Sequence, residues 1–178
     1  MNGTGTFGVH GAMEEAVTAS PPVFDDFFEA ERGRLLRALY LLTGNAEEAE
    51  EVLQDAFLAI WERWDRVGAM DDPTGYLFRT ALNRYRSGLR RAARAARRTI
   101  GQAHGGDLFA QADERDALAR ALAKLSPRRR EAIVLTVLLG YGSAEAGSVM
   151  GIADGTVRRL TQEARERLRI DLEDTHHG

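Results

Sequence analysis

Thr156, Arg158, Arg159 and Gln162 stand close together after a glycine, and Arg165 follows one turn later. Arginine forks can hold guanine edges, and glutamine can pair with adenine. The same arginines can instead grip phosphates, which positions a protein without reading sequence. A second basic set lies upstream. Tyr76–Ile100 contains Arg79, Arg84, Arg86, Arg90, Arg91, Arg94, Arg97 and Arg98 and no acidic residue. The chemistry on offer is therefore nucleic-acid binding at two surfaces.

Catalytic arrangements are missing by comparison. His10, His104, His176 and His177 make no ligand-spaced cluster with acids, and no HExxH segment, P-loop or dinucleotide glycine fingerprint occurs. No serine has a plausible His and Asp beside it. With no cysteine among the 178 residues, disulfides and thiolate metal sites are excluded. We expect no enzyme activity, no metal and no cofactor.

These side chains need elements to aim them. In the C-terminal part, Ser143–Met150 and Gly155–Arg169 read as two short helices around the turn Gly151-Ile152-Ala153. Val157, Leu160, Ala164 and Leu168 fall at steps of three, four and four, which makes one buried stripe. Thr156, Arg158, Arg159 and Gln162 lie off it. A helix-turn-helix is the arrangement that lays such a second helix in a DNA major groove. Helices over Leu108–Leu125 and from Ser126-Pro127 to Leu139 precede it.

The N-terminal part reads as three more helices. Val23–Leu42 carries Phe24, Phe27, Phe28, Leu35, Leu36, Leu39 and Leu42 mostly at helical spacing. Ala46–Trp64 repeats Val52, Leu53, Ala56, Phe57, Ile60, Trp61 and Trp64, with acids in its first turns, where the helix dipole favours them. After the loop Val67–Thr74, with Pro73 placed to open a helix, Gly75–Arg98 is a long basic helix interrupted by Gly88. The fold class is all-α, two small helical domains joined by a tether. The expected divisions are a disordered tail 1–22, a first domain 23–99, a linker 100–112 and a second domain 113–172.

The formal net charge of -3 argues against a simple polycationic DNA coat. No apolar run approaches the roughly 20 residues that span a bilayer, and the N-terminus lacks the pattern of a secretory signal. We expect no membrane insertion and a place in the cytoplasm.

Leu125–Arg169 resembles region 4 of the extracytoplasmic-function sigma factors, the small alternative bacterial sigma factors. Leu125, Pro127, Arg128, Arg130, Glu131, Val134 and Leu135 match the opening helix. Gly151, Ile152, Gly155, Thr156, Val157, Ala164, Arg165, Arg167 and Leu168 match the turn and recognition helix. The resemblance continues upstream. Glu48–Trp64 is similar to region 2.2 through Gln54, Asp55, Phe57, Leu58 and Trp61. Gly75–Arg91 is similar to regions 2.3 and 2.4 through Tyr76, Leu77, Phe78, Arg79, Ala81, Asn83, Leu89, Arg90 and Arg91. Three places depart from the family pattern: Gly142-Ser143, Ala146-Gly147 and Ala153. They leave the first helix of the helix-turn-helix thinly packed.

The resemblance implies a promoter-specificity subunit of RNA polymerase. It assigns Thr156, Arg158, Arg159, Gln162 and Arg165 to the −35 element. Met70, Asp71, Asp72, Arg79, Asn83, Arg86, Arg90 and Arg91 go to recognition and opening of the −10 element. Glu51, Gln54, Asp55 and Leu58 form the polymerase contact. The implied partners are core RNA polymerase (β′ clamp coiled coil and β flap), promoter DNA and an anti-sigma factor. Two other readings stay open here. A stand-alone helix-turn-helix regulator would use Leu125–Arg169 alone, and a divergent sigma-like protein would act only through protein–protein contacts.

Overall fold

The structure is a computed structural model that describes residues 23–98 and 117–176. The expectations for the tail, the linker and residues 108–116 lie outside these residues. Among the described residues all regular structure is helical: α1 (Phe24–Thr43), α2 (Ala46–Trp61), α3 (Trp64–Val67), α4 (Pro73–Arg98), α5 (Ala117–Ala123), α6 (Pro127–Ile133), α7 (Ser143–Met150) and α8 (Asp154–His176).

In the N-terminal bundle α1 packs along α2, and α2 along α4. Gly44 ends α1 in the left-handed region at φ 69°, its N–H donating to the Tyr40 carbonyl. Asn45 opens α2 by accepting the Glu48 N–H at 2.9 Å, a cap worth about 1 kcal/mol. The apolar stripe then buries Leu53, Ala56, Phe57 and Ile60. Phe24, Phe27, Phe28, Phe57 and Trp64 form an aromatic cluster with centroids 4.7–6.4 Å apart. The helix expected through Trp64 breaks at Glu62-Arg63, and Trp64 begins the short α3. That break lets Trp64 turn back onto Phe24 and Phe27.

In the C-terminal bundle α6 and α7 both pack on α8. The helix expected to run to Leu139 widens after Ile133 into a π-helical stretch, Val134–Leu138, with Leu139 N–H bonded to the Val134 carbonyl at 3.0 Å. Gly151 supplies the turn between α7 and α8. Its φ of 70° is in the left-handed region, which costs a residue with a Cβ about 1–2 kcal/mol. Val157 and Ala164 are fully buried and Leu160 and Leu168 half-buried, the stripe read from the spacing. α8 runs past the expected end at Arg169 to His176, since no glycine or proline interrupts it.

The two bundles share one buried core. α7 sits on α4, and α5 and α6 sit on α1. The small residues of α7 are accounted for by this setting. A Cβ on Gly147 would come within 2.8 Å of the Ile152 carbonyl, so the tight turn needs a glycine there. Ala146, Val149 and Met150 are buried between α8 and α4. α7 is thin because it is packed from two sides.

Candidate nucleic-acid interface

The buried stripe of α8 turns its other face outward. Arg158, Arg159, Gln162 and Arg165 are exposed, and Thr156 is half-buried. The arginines are steered by carboxylates one turn away. Arg158 donates to Asp154 at 2.7 Å and Arg159 to Glu163 at 2.6 Å. Asp154, in the first turn of α8, also accepts the Gly155 N–H at 2.7 Å. Hydrogen bonds from Arg129 and Arg159 hold the Glu163 carboxyl below its usual range. At such exposure these pairs add little stability; their effect is to limit the rotamers from which the arginines reach.

The basic helix α4 is placed differently. Of its expected DNA contacts, Arg90, Arg91 and Asn83 are exposed, and Arg90 donates to the Ser87 hydroxyl at 2.7 Å. Arg79 and Arg86 reach across to the C-terminal bundle. Arg79 donates to the Ser148 carbonyl and to its hydroxyl at 2.8 Å. Arg86 donates through Nε and Nη2 to the two Glu131 oxygens at 2.9 and 2.6 Å, and through Nη1 to the Met150 carbonyl at 3.2 Å. Phe78 and Tyr85 are buried and Tyr76 half-buried, so these aromatics are core residues. In the preceding loop, Met70 packs on the core and Asp71 is exposed. Asp72 caps α4 by accepting the Gly75 N–H at 2.7 Å.

On α2, Glu51, Gln54, Asp55 and Leu58 are all exposed. Asp55 turns toward α4, where Arg84 donates to it at 3.1 Å. Glu51, Gln54 and Leu58 continue at helical steps to Trp61. Leu58 is 54% and Trp61 60% exposed. Trp61 belongs to this outer face, although its spacing also matched the apolar stripe. The signal that separates it is the second tryptophan: Trp64 fills the aromatic cluster, leaving Trp61 outside.

Beneath both surfaces lies a buried polar junction. Arg130 is 5% exposed. It donates to the Leu122, Ala123 and Leu125 carbonyls at 2.8, 2.9 and 3.0 Å, closing the end of α5. Its Nη1 reaches the Leu42 carbonyl in α1 at 2.7 Å, which also accepts the Tyr85 hydroxyl at 3.0 Å. Burial lowers the Arg130 pKa and pushes the Tyr85 phenol up to about 12. Nearby, the Arg34 guanidinium stacks over Tyr141 at 4.9 Å and Phe78 at 5.4 Å while donating to the Leu139 carbonyl at 3.1 Å. The resemblance to region 4 includes Arg130 and Glu131, but local spacing does not reveal what they bind.

Residues 27–95 match the model of sigma-70 region 2, and residues 115–168 match that of sigma-70 region 4. The ECF RNA polymerase sigma factor SigM of Mycobacterium tuberculosis is 30% identical over 146 residues, 82% of this chain and 74% of SigM. SigL of the same organism is 30% identical over 168 residues, 89% of this chain and 94% of SigL. Among solved structures, the sigma factor RpoE of Bartonella quintana, in complex with the anti-sigma factor NepR, superposes with a TM-score of 0.71 at 25% identity, covering 84% of this chain and 96% of that one. With an exposed arginine-bearing helix-turn-helix, a basic α4 and matches over both modules, the chain belongs to the extracytoplasmic-function sigma factors of the sigma-70 family, non-enzymatic proteins that direct promoter-specific transcription by RNA polymerase.

Proposed function

We propose how the labour is divided between the modules. α8 reads the −35 element through Thr156, Arg158, Arg159, Gln162 and Arg165. α4 and the loop before it engage the −10 element through Met70, Asp71, Asp72, Arg79, Asn83, Arg86, Arg90 and Arg91. Glu51, Gln54, Asp55 and Leu58 of α2, with Trp61 beside them, dock on the β′ clamp coiled coil, and the C-terminal module meets the β flap. Residues 23–99 and 113–172 act as the two modules, with 100–112 as their tether. Tethering lets two weak DNA contacts act together through effective concentration. The protein works in the cytoplasm, and an anti-sigma factor restrains it, as NepR is bound to the neighbouring sigma factor.

The observation that carries this reading is the outward row of Arg158, Arg159, Gln162 and Arg165 on a helix whose other side is buried. Arginine on a major-groove helix both neutralises phosphate and forks onto guanine. A footprint of core polymerase plus this chain on DNA upstream of its own gene tests it. Two protected patches are expected. Arg158→Glu/Arg159→Glu should remove the upstream patch and keep the downstream one; loss of neither overturns the assignment.

A further inference from the structure

α4 does not end where its packing ends. Leu89 is its last residue against the core, and residues 90–95 and 97 beyond it are all exposed. This outer stretch, RRAARAARR over 90–98, is built only from arginine and alanine. Both are among the strongest helix formers, so the helix continues with no core beneath it.

The charge is one-sided. At about 100° per residue, Asn83, Arg90, Arg94 and Arg97 fall within about 60° of one another. The face that Asn83 and Arg90 present therefore continues for about two more turns. Like charges three and four residues apart repel along a helix. On α8 the exposed arginines offset this with carboxylates: Arg158 with Asp154, Arg159 with Glu163 and Arg169 with Glu166. Residues 76–100 contain no acid, so Arg90, Arg94 and Arg97 have no carboxylate on their own stretch of helix to offset theirs. The helix dipole favours cations only in the last turn. It accounts for Arg97 and leaves Arg91 and Arg94 unexplained. A row of like charges kept on a self-supporting helix fits an anionic partner.

We propose that this stretch is a phosphate-binding surface for the duplex immediately upstream of the −10 element, with Arg94 and Arg97 as its contacts. It rests on the reading of α4 as the −10 helix. The direction follows from the chain. α4 presents Asn83 to the −10 element and leads, through residues 99–116, to the module assigned to the −35 element. Its far end therefore lies over the DNA between the two. Asn83 to Arg97 spans about 21 Å along the helix axis, roughly six base pairs of duplex. Duplex DNA carries a charge about every 1.7 Å, so a row of arginines meets phosphates whatever the base sequence. The surface adds affinity and fixes register; it does not read bases.

The test uses core polymerase with the full-length chain, bound to a promoter fragment from upstream of its own gene, with Kd followed against salt. Each phosphate contact contributes about 0.9 to the slope of log K against log salt. Between about 50 and 200 mM salt, wild type should lose about tenfold more affinity than Arg94→Ala/Arg97→Ala. Alanine keeps the helix. Arg94→Lys/Arg97→Lys should restore the wild-type slope, because a phosphate accepts a point charge. Uncharged methylphosphonates in the base pairs just upstream of the −10 element should weaken wild type more than the alanine variant. Equal slopes, or equal methylphosphonate losses, overturn the proposal. An unchanged slope with weaker binding to core polymerase alone would make the row a protein contact instead.

The −10 reading beneath it has its own readout. Changing the −10 bases should weaken wild type and the alanine variant by the same factor. No loss in either overturns that reading, while the methylphosphonate comparison still decides the upstream contact.

Discussion

The Arg86 guanidinium grips the Glu131 carboxylate through two bonds, Nε to Oε1 at 2.9 Å and Nη2 to Oε2 at 2.6 Å, and so joins α4 to α6 across the two modules. Their side chains are 14% and 1% exposed. A pair this dry contributes little net stability against an apolar substitute, but losing one partner strands the other and typically costs about 3–5 kcal/mol. Glu131→Ala is therefore expected to lower the unfolding free energy of the free chain by about 3 kcal/mol, read by urea titration at neutral pH. A change below about 0.5 kcal/mol, the level of an ordinary surface substitution, contradicts it.

Tyr85 gives the same junction a pH dependence. Burial is the main cause of a phenol pKa of about 12, and Glu131 adds to it while Arg130 opposes it. The unfolded phenol titrates near 10. Because the folded value is the higher one, this contribution is complete below about pH 10 and is lost as pH rises through about 12. The full loss is about 2–3 kcal/mol. Tyr85→Phe should lower stability at pH 8 and flatten the decline between pH 10 and 12. An unchanged alkaline decline in that variant contradicts the assignment.

Gly88 sits inside α4 with open space where a Cβ would point. Gly88→Ala should raise stability by about 0.5–1 kcal/mol, the difference in helix propensity. A thermal melt checks the sign, and a fall in midpoint would show that the position serves something other than the helix.

On α8, Arg158→Glu/Arg159→Glu should cut transcription roughly tenfold or more, the worth of one or two base contacts. Stability should move by no more than about 1 kcal/mol, because the Asp154 and Glu163 pairs are solvent-exposed. A large stability loss with the same defect would mean that folding, not contact, was lost.

On α2, Trp61→Ala and Leu58→Asp should each weaken core-polymerase binding by roughly tenfold or more, the effect of truncating an aromatic or aliphatic anchor. Fluorescence titration measures it. The fold should survive, since both side chains are more than half exposed.

The helical stripes were legible from spacing because a period of 3.6 reports which side of a helix is buried. Val157 and Ala164 on α8, and Leu53, Phe57 and Ile60 on α2, lie where that pattern puts them. The turn at Gly151 was legible because its left-handed backbone favours glycine. Spacing does not report what covers a face. Arg79 and Arg86 read as free basic residues, yet their partners Ser148 and Glu131 lie 69 and 45 residues away. Trp61 and Trp64 both fit the apolar period, and only packing against Phe24 and Phe27 separates them. The π-helical stretch at Val134–Leu138 carries no residue that marks it: VLTVL reads as a continuation of the ordinary helix that opens at Ser126-Pro127.

Reconstituted transcription tests the central claim most directly: core RNA polymerase, this chain, and DNA from upstream of its own gene. Defined transcripts should appear only with the chain present, and should be lost with Arg158→Glu/Arg159→Glu while polymerase binding is kept. Polymerase binding without transcripts, or transcripts indifferent to those arginines, would contradict a promoter reader that works through α8.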